Sequence, residues 1–273
     1  MIDKILTDYI EAKAPGKDVA VLMSGGIDSL TLAFAAKRLG KTVHAYTFFV
    51  NGRGTEDSMN SVIAGKMFGW ETTLVDVPVN NLKDDFLRLV RYYDCKKKTQ
   101  VECTFPFLYV YPKIKEKYIL SGVAADGWYG VSKKACMHFK YPKSKFDEFR
   151  TGYFGAENPA GVRQQEQLSE EIEATLVAPY LSDEVRSWMM EYDWDFFNKP
   201  FQKAPIVEAF PEFANIKRRR HANLQLVAGI PQYFEALLED KELNFNNRSR
   251  MMDLVRDYQG APQQNLFDHL TTA

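Results

Sequence analysis

Residues 24–29, Ser-Gly-Gly-Ile-Asp-Ser, follow directly on an apolar run that reads as a buried strand. Gly25 and Gly26 let the backbone turn sharply and approach a ligand closely. The helix that begins next would direct its first amide groups and its positive dipole end toward an anion. Ser24 and Ser29 add hydroxyl donors, and Asp28 is suited to hold a magnesium ion beside phosphates. The segment therefore predicts a phosphate-binding turn.

A second loop of small residues follows the apolar run at 117–120; residues 121–127 read Ser-Gly-Val-Ala-Ala-Asp-Gly. Loops at the carboxyl ends of adjacent parallel strands open into one crevice. One loop could then hold pyrophosphate, and the other the nucleoside and acyl-adenylate part of the ligand. We expect Asp126 to share the magnesium ion with Asp28.

The elements that would position these loops alternate between strand and helix over residues 1–130, after an amphipathic N-terminal helix. This alternation predicts an α/β fold with a doubly wound, mainly parallel five-stranded sheet and helices on both faces. Four strands can be placed from the pattern, with helices between them. The strands are 19–23, 43–49, 72–77 and 117–120, and the helices are 28–39, 56–68, 81–93 and 105–116.

Three units are expected along the chain. Residues 1–130 would form the nucleotide-binding core, and residues 131–177, without clear periodicity, an irregular loop or insertion. Residues 178–273 would form a helical region packed on the ligand edge. Its predicted helices are 183–193, 203–210, 213–228, 231–239 and 248–259.

Composition narrows the function classes. The net charge is −1, so we do not expect nucleic acid as a partner, although two basic clusters occur at 96–98 and 217–220. No apolar run approaches the roughly 20 residues of a membrane span. The N-terminal residues lack the apolar stretch of a signal peptide, which makes the cytoplasm the expected location. The four histidines show no metal-ligand spacing.

The two loops resemble those of the PP-loop ATP pyrophosphatases, and in particular the synthetase domain of asparagine synthetase. The resemblance runs from about residue 18 to 240. Further matches are Glu56-Asp57, Gly69 and Pro179-Tyr180-Leu181.

The resemblance implies ATP and Mg²⁺ as ligands, with catalytic roles for Asp28, Asp126 and Lys203. Lys203 would neutralise the departing pyrophosphate, although Lys199 is close enough in sequence to take that place. The positions that would bind the nucleotide also follow from the resemblance. They are Leu22, Met23, Ser24, Gly25, Gly26, Asp28, Ser29, Thr47, Phe48, Ser121 and Gly122.

The chain also departs from the family pattern. Val123 stands where the family has a glutamate suited to act as a general base, and Gly127 replaces the glutamate after the aspartate. Ile2 stands where the family's glutaminase domain exposes its cysteine. The nitrogen is therefore expected from free ammonia, an amine substrate or a separate amidotransferase partner.

The resulting hypothesis is an amide-forming ligase that adenylates a small-molecule carboxylate for attack by ammonia or an amine. One alternative is a PP-loop enzyme that modifies a nucleobase or tRNA, with Cys95 and Cys103 as sulfur carriers and the basic clusters on RNA phosphates. Another is a degenerate member that only binds nucleotide. Trp128 and Tyr129 either line a substrate pocket or pack the second loop against the helical region.

Overall fold

The computed structural model describes residues 1–131, 142–155, 161–216 and 223–238. Strands and helices alternate through its first half, as the sequence predicts. The strands are β1 Asp18–Leu22, β2 Thr42–Val50, β3 Glu71–Val77, β4 Tyr118–Leu120 and β5 Thr175–Val177. The helices of this half are α1 Ile2–Lys13, α2 Ile27–Arg38, α3 Glu56–Phe68, α4 Leu82–Arg91, α5 Lys98–Thr104, α6 Phe107–Val110 and α7 Ala125–Tyr129.

Helices dominate the second half of the described chain. They are α8 Lys143–Gly155, α9 Val162–Glu171, α10 Asp183–Glu191, α11 Trp194–Asn198, α12 Ala204–Ala209, α13 Leu224–Val227 and α14 Ile230–Leu238. Short 3₁₀ turns cover Tyr111–Lys113, Pro179–Leu181 and Pro211–Asn215.

The described strands form one sheet in the order β3-β2-β1-β4-β5, and every pairing is parallel. β1 therefore lies in the middle, with the chain first extending the sheet to one side and then crossing to the other. This reversal places the carboxyl ends of β1 and β4 side by side, since Val21 pairs with Leu120. Ligands of such sheets bind at this switch in strand order. The predicted doubly wound parallel fold is confirmed.

Both faces of the sheet are covered, which explains why the strands read as nearly continuous apolar runs. Successive side chains of a strand point to opposite faces. Val19 and Val21 of β1 belong to the core that α1 and α2 cover, whereas Ala20 and Leu22 belong to the core beneath α4 and α5. All four are buried. The sheet is thus held from both sides, and its strand ends are fixed in position.

Several details differ from the sequence-based expectation. The helix predicted at 105–116 is interrupted, because only Phe107–Val110 is α-helical and Pro112 lies in the following 3₁₀ turn. Helix α5 and the short strand β5 are present in the structure but have no counterpart among the elements placed from the sequence. The prediction that 131–177 is irregular is wrong for α8 and α9. The buried residues of α8 are Phe146 and Arg150, and three of the five buried residues of α9 are polar, so neither helix shows a clear apolar period. The helix predicted at 248–259 lies outside the described residues.

The division into three units remains a prediction. Within the described part of the chain, no helix is both long and apolar enough to span a membrane.

Candidate active site

The turn after β1 depends on glycine at one position. Gly25 has φ +67°, a left-handed conformation, and a Cβ added there would lie 2.7 Å from Cβ of Asn60 on α3. Only glycine satisfies both conditions without strain. The hydroxyl groups of Ser24 and Ser29 lie 3.3 Å apart, and the Ser29 hydroxyl donates to the carbonyl oxygen of Gly26. The turn is therefore compact and held by its own polar groups.

Helix α2 starts directly from this turn. Gly26 is its N-cap, and no side chain caps the first amide groups of the helix. The first N–H groups of a helix have no partner within the helix, and they carry the positive end of its dipole. This end of α2 is a suitable site for phosphate.

The loop after β4 touches the phosphate turn. A Cβ on Gly122 would lie 3.1 Å from Cβ of Asp28, so a glycine here lets the two loops approach each other. Ser121 is buried and donates to the Gln165 side-chain oxygen at 2.7 Å, and the Val123 amide donates to the Ser121 hydroxyl. Gln165 on α9 thus fixes the second loop from behind.

Lys203 joins the two loops electrostatically. Its ammonium group donates to Asp28 Oδ2 at 2.5 Å and to Asp126 Oδ1 at 2.7 Å, and only 4% of the residue is exposed. The ammonium also lies 4.9 Å from the centroid of the Tyr129 ring. Burial acts to lower the pKa of Lys203, but the charges and hydrogen bonds of Asp126 and Asp28 outweigh it and raise the pKa. Lys203 is therefore positively charged at neutral pH.

One cavity of about 430 Å³ opens between the two loops and the helical region. A smaller cavity of about 40 Å³ adjoins it at the ends of β1 and β2. Together they are lined by every binding and catalytic residue expected from the sequence. Leu22 and Ser24 line both; Gly25, Gly26, Asp28, Ser29, Ser121, Gly122, Asp126 and Lys203 line the large one, and Met23, Thr47 and Phe48 the small one.

The residues present fit ATP and Mg²⁺. The large cavity has the size of a small-molecule site, and its phosphate turn leaves no room for a Cβ at residue 25. Within the described residues, no group of three or more His, Cys, Asp or Glu side chains is placed to hold a metal. Mg²⁺ needs only one or two carboxylates when nucleotide phosphates complete its shell, and Asp28 and Asp126 would supply them.

The structure separates Lys203 from Lys199. Lys199 is an exposed residue whose ammonium pairs with Asp195 at 2.6 Å one helical turn earlier, and it does not line either cavity. Lys203 is the lysine that the fold places beside the phosphate turn. Its own left-handed conformation, φ +61°, comes just before helix α12.

Trp128 and Tyr129 pack the second loop and do not line the cavities. Trp128 is buried, stacks on Phe154 with ring centroids 3.6 Å apart, and donates from its indole to the carbonyl oxygen of Tyr180. Tyr129 is fully buried against Tyr180 and Phe197. Of the two roles considered for these residues, the structure shows packing.

The thiols considered as sulfur carriers are poor nucleophiles here. Burial is the main cause that raises the pKa of both Cys95 and Cys103 to about 12. Because the thiolate is the reactive form, both groups are protonated and inert at neutral pH. Cys103 does line the large cavity, where its thiol donates to the Gln225 side-chain oxygen at 3.4 Å.

The first basic cluster, at 96–98, is partly neutralised by neighbouring carboxylates. The ammonium of Lys96 pairs with Asp94 and that of Lys98 with Glu102 on α5. The second, at 217–220, lies outside the described residues.

Several cavity residues were not found from the sequence. They are Asp57, Thr99, Cys103 in a non-redox role, Phe107, Tyr153, Gln165, Gln202, Asn223 and Gln225. Asp57 is a family match in the sequence. Most of the others lie on α5, α6, α8, α9 and α13, whereas Gln202 and Asn223 lie just before α12 and α13; no local motif marks a site in these segments. Only the packing of α5, α8, α9 and α13 around the strand ends brings them together.

Comparison with known proteins identifies the family. The asparagine synthase family model matches residues 14–193, about two thirds of the chain and the part that carries both loops. The chain belongs to the asparagine synthase family. The resemblance seen in the sequence is thereby confirmed, and members of this PP-loop family use ATP. The comparison with curated proteins finds no match.

Solved structures similar to this asparagine synthase family member are remote. A predicted subunit of tRNA methyltransferase from Methanocaldococcus jannaschii is 15% identical, with a TM-score of 0.37, covering 73% of this chain and 90% of its own. NMN synthetase from Francisella tularensis is 13% identical (TM-score 0.34, 81% and 95% covered). The U34-tRNA thiolase NcsA from Methanococcus maripaludis, with its [4Fe-4S] cluster, is also 13% identical (0.33, 94% and 77%). At these scores the similarity does not bear on function.

Proposed function

We propose that this protein is an ATP-dependent, AMP- and pyrophosphate-forming ligase. It adenylates the carboxylate of a small molecule, and ammonia or an amine then converts the adenylate to an amide. The observation that carries the proposal is the contact of Lys203 with both Asp28 and Asp126 beside the phosphate turn. This contact brings the buried ammonium group and two carboxylates to the place where a triphosphate bound by Ser24–Ser29 would be cleaved.

In the first step, a carboxylate oxygen of the acceptor attacks the α phosphorus of ATP. The bond from that phosphorus to the bridging oxygen of the β phosphate breaks, and pyrophosphate leaves with the electron pair. The amide groups at the start of α2 and the Ser24 and Ser29 hydroxyls line the cavity and would bind the leaving group, the Ser29 hydroxyl after turning from the Gly26 carbonyl oxygen. Such fixed donors stabilise charge that develops in the transition state.

Lys203 supplies the positive charge for pyrophosphate. Its raised pKa keeps the ammonium protonated, so it can neutralise the leaving group without gaining a proton during the reaction. Asp28 and Asp126 hold this ammonium in place and would also hold Mg²⁺. When bound, that ion would offset phosphate charge. Catalysis by this constellation consists of positioning and charge neutralisation.

In the second step, the amine nitrogen attacks the carbonyl carbon of the acyl-adenylate, and AMP leaves as the carbon–oxygen bond breaks. Val123, which lines the large cavity, cannot accept the amine's proton. The nucleophile therefore reacts as the neutral amine, and its extra proton leaves after attack. Free ammonia or an amine of lowered pKa satisfies this condition.

The products of ATP cleavage test the proposal. Purified protein is incubated with ATP labelled at the α and γ phosphates, Mg²⁺, ammonium and a pool of carboxylic acids. The expected products are labelled AMP and labelled pyrophosphate, and both depend on an added carboxylate. D28A is expected to abolish the formation of both products. K199M, at an exposed lysine that lines neither cavity, is expected to retain it. Formation of ADP and phosphate would contradict the proposal. ATP binding without cleavage would also contradict it and would favour a binding role.

A further inference from the structure

Tyr153 occupies the space of a family side chain. A Cβ added to Gly127 would lie 2.4 Å from Cε1 of Tyr153, so a side chain at residue 127 would require this ring to move. Gly127 is the position where the family pattern has a glutamate after the aspartate. Tyr153 on α8 lines the large cavity, next to the second loop. A phenol from a distant helix therefore replaces a carboxylate from the loop.

The side-chain amides of Gln225 and Gln165 also line this cavity, and both are uncharged. Cys103 donates its thiol hydrogen to the Gln225 side-chain oxygen, which orients the amide of Gln225. Gln165 accepts from the Ser121 hydroxyl through its side-chain oxygen. With each oxygen engaged from within the protein, the amide nitrogens are the donors that these two side chains can offer a ligand.

This wall is uncharged at neutral pH. Burial, with smaller contributions from the charges of Asp126 and Cys103, raises the pKa of Tyr153 to about 12. The phenol therefore stays protonated and acts as a hydrogen-bond donor. Three carboxylates line the cavity. Asp28 and Asp126 already receive hydrogen bonds from Lys203, and Asp57 also lines the small cavity at the ends of β1 and β2, which Tyr153 does not line.

We propose that Tyr153, Gln225 and Gln165 form the acceptor subsite, and that it binds a carboxylic acid through a neutral oxygen substituent. The class of acceptor is a hydroxy or oxo acid, whose oxygen lone pairs receive hydrogen bonds from the phenol and the amides. An amino acid is disfavoured, because its ammonium group needs an acceptor, whereas the phenol of Tyr153 and the amide nitrogens of Gln225 and Gln165 are donors. The inference rests on the proposed function and narrows its substrate.

Binding of a matched pair of acids tests this subsite independently of catalysis. The full-length protein is saturated with Mg²⁺ and an ATP analogue whose α–β bridge is a methylene, and malate or aspartate is titrated in by calorimetry. The two acids share a carbon skeleton and differ in hydroxyl against ammonium. We expect malate to bind at least about 10-fold more tightly, the range for a lost hydrogen bond with an unpaired buried group. Equal or tighter binding of aspartate, or no binding of malate, overturns the proposal.

Variants assign the preference to Tyr153. Y153F removes only the hydroxyl and is expected to weaken malate binding about fivefold, while the affinity for the ATP analogue stays within twofold. Y92F, at an exposed tyrosine, is the matched control. The double variant G127E/Y153A restores a carboxylate in the vacated space and is expected to shift the preference toward aspartate. Malate binding that is unchanged in Y153F overturns the assignment.

AMP formation is measured in parallel with ATP, ammonium and the same acids. Tyr153-dependent malate binding without any AMP would refute the proposed ligase activity and leave the subsite supported. AMP formation that prefers aspartate would support the ligase and refute the subsite. The two proposals therefore fail by different observations.

Discussion

The ammonium nitrogen of Lys203 lies 2.5 Å from Oδ2 of Asp28, although 175 residues separate them in the chain. Asp28 begins the helix after β1, whereas Lys203 precedes a short helix of the C-terminal region. Asp126 extends the same contact to the loop after β4. This ion-pair cluster joins the parallel sheet to the helices that cover its ligand edge. Its removal should therefore lower both the catalytic rate and the free energy of unfolding.

Replacing Lys203 by methionine is expected to lower the rate of AMP formation roughly 10²- to 10³-fold, because the pyrophosphate loses a preorganised positive charge. The measurement is pyrophosphate release from ATP with a saturating acceptor. K199M removes an exposed lysine only four residues away and should retain the wild-type rate within about twofold. If K199M and K203M lost activity equally, the assignment of Lys203 to the leaving group would be wrong.

The Lys203 cluster also predicts a pH dependence of stability. Since the pKa of Lys203 is raised in the folded protein above the ordinary value of 10.5, the folded state holds this proton more tightly than the unfolded chain. The stabilisation that protonated Lys203 gives the folded state is fully present below pH 10.5. It is lost as the pH rises through the folded-state pKa of Lys203. Urea unfolding of wild type and K203M should therefore differ by a constant free energy between pH 7 and 10. A difference that declined between pH 7 and 9 would contradict this.

Alanine at Gly25 should destabilise the protein more than alanine at Gly52. Both glycines have positive φ, +67° and +70°, so each substitution carries backbone strain of about 1 kcal/mol. Only at Gly25 would the new Cβ also collide with α3, and overpacking of this kind costs about 1–3 kcal/mol more. Chemical denaturation gives both free energies. G25A should also lose affinity for ATP, whereas equal destabilisation by the two variants would refute the close packing of the turn.

Cys95 and Cys103 should resist alkylation in the folded protein. With their pKa values raised to about 12, their thiolate fraction at pH 8 is on the order of 10³-fold below that of an ordinary cysteine. Iodoacetamide labelling, followed site by site by mass spectrometry, should show slow modification that becomes fast in denaturant. Rapid labelling of native Cys103 at pH 8 would revive the sulfur-transfer alternative.

The sequence predicted those parts of the protein whose physical cause is local. A turn that must bend sharply requires glycine at Gly25, and short apolar runs bounded by turn residues, such as those that precede Ser24 and Ser121, are typical of buried strands. The pattern of apolar residues and the turn residues were therefore sufficient to predict the parallel fold and the two loops. The same local signals failed at α8 and α9, because α8 has only two buried residues and most of the buried side chains of α9 are polar, so that no apolar period marks either helix.

What only the tertiary structure decided concerns partners that lie far apart in the chain. Lys199 and Lys203 are equivalent by local pattern, and only the fold directs one to solvent and the other between Asp28 and Asp126. Likewise, the sequence alone does not explain why residue 127 is a glycine. The structure does, because the ring of Tyr153 lies where its side chain would begin. Local sequence sets backbone conformation, but which side chains share a cavity depends on how helices pack across the strand ends.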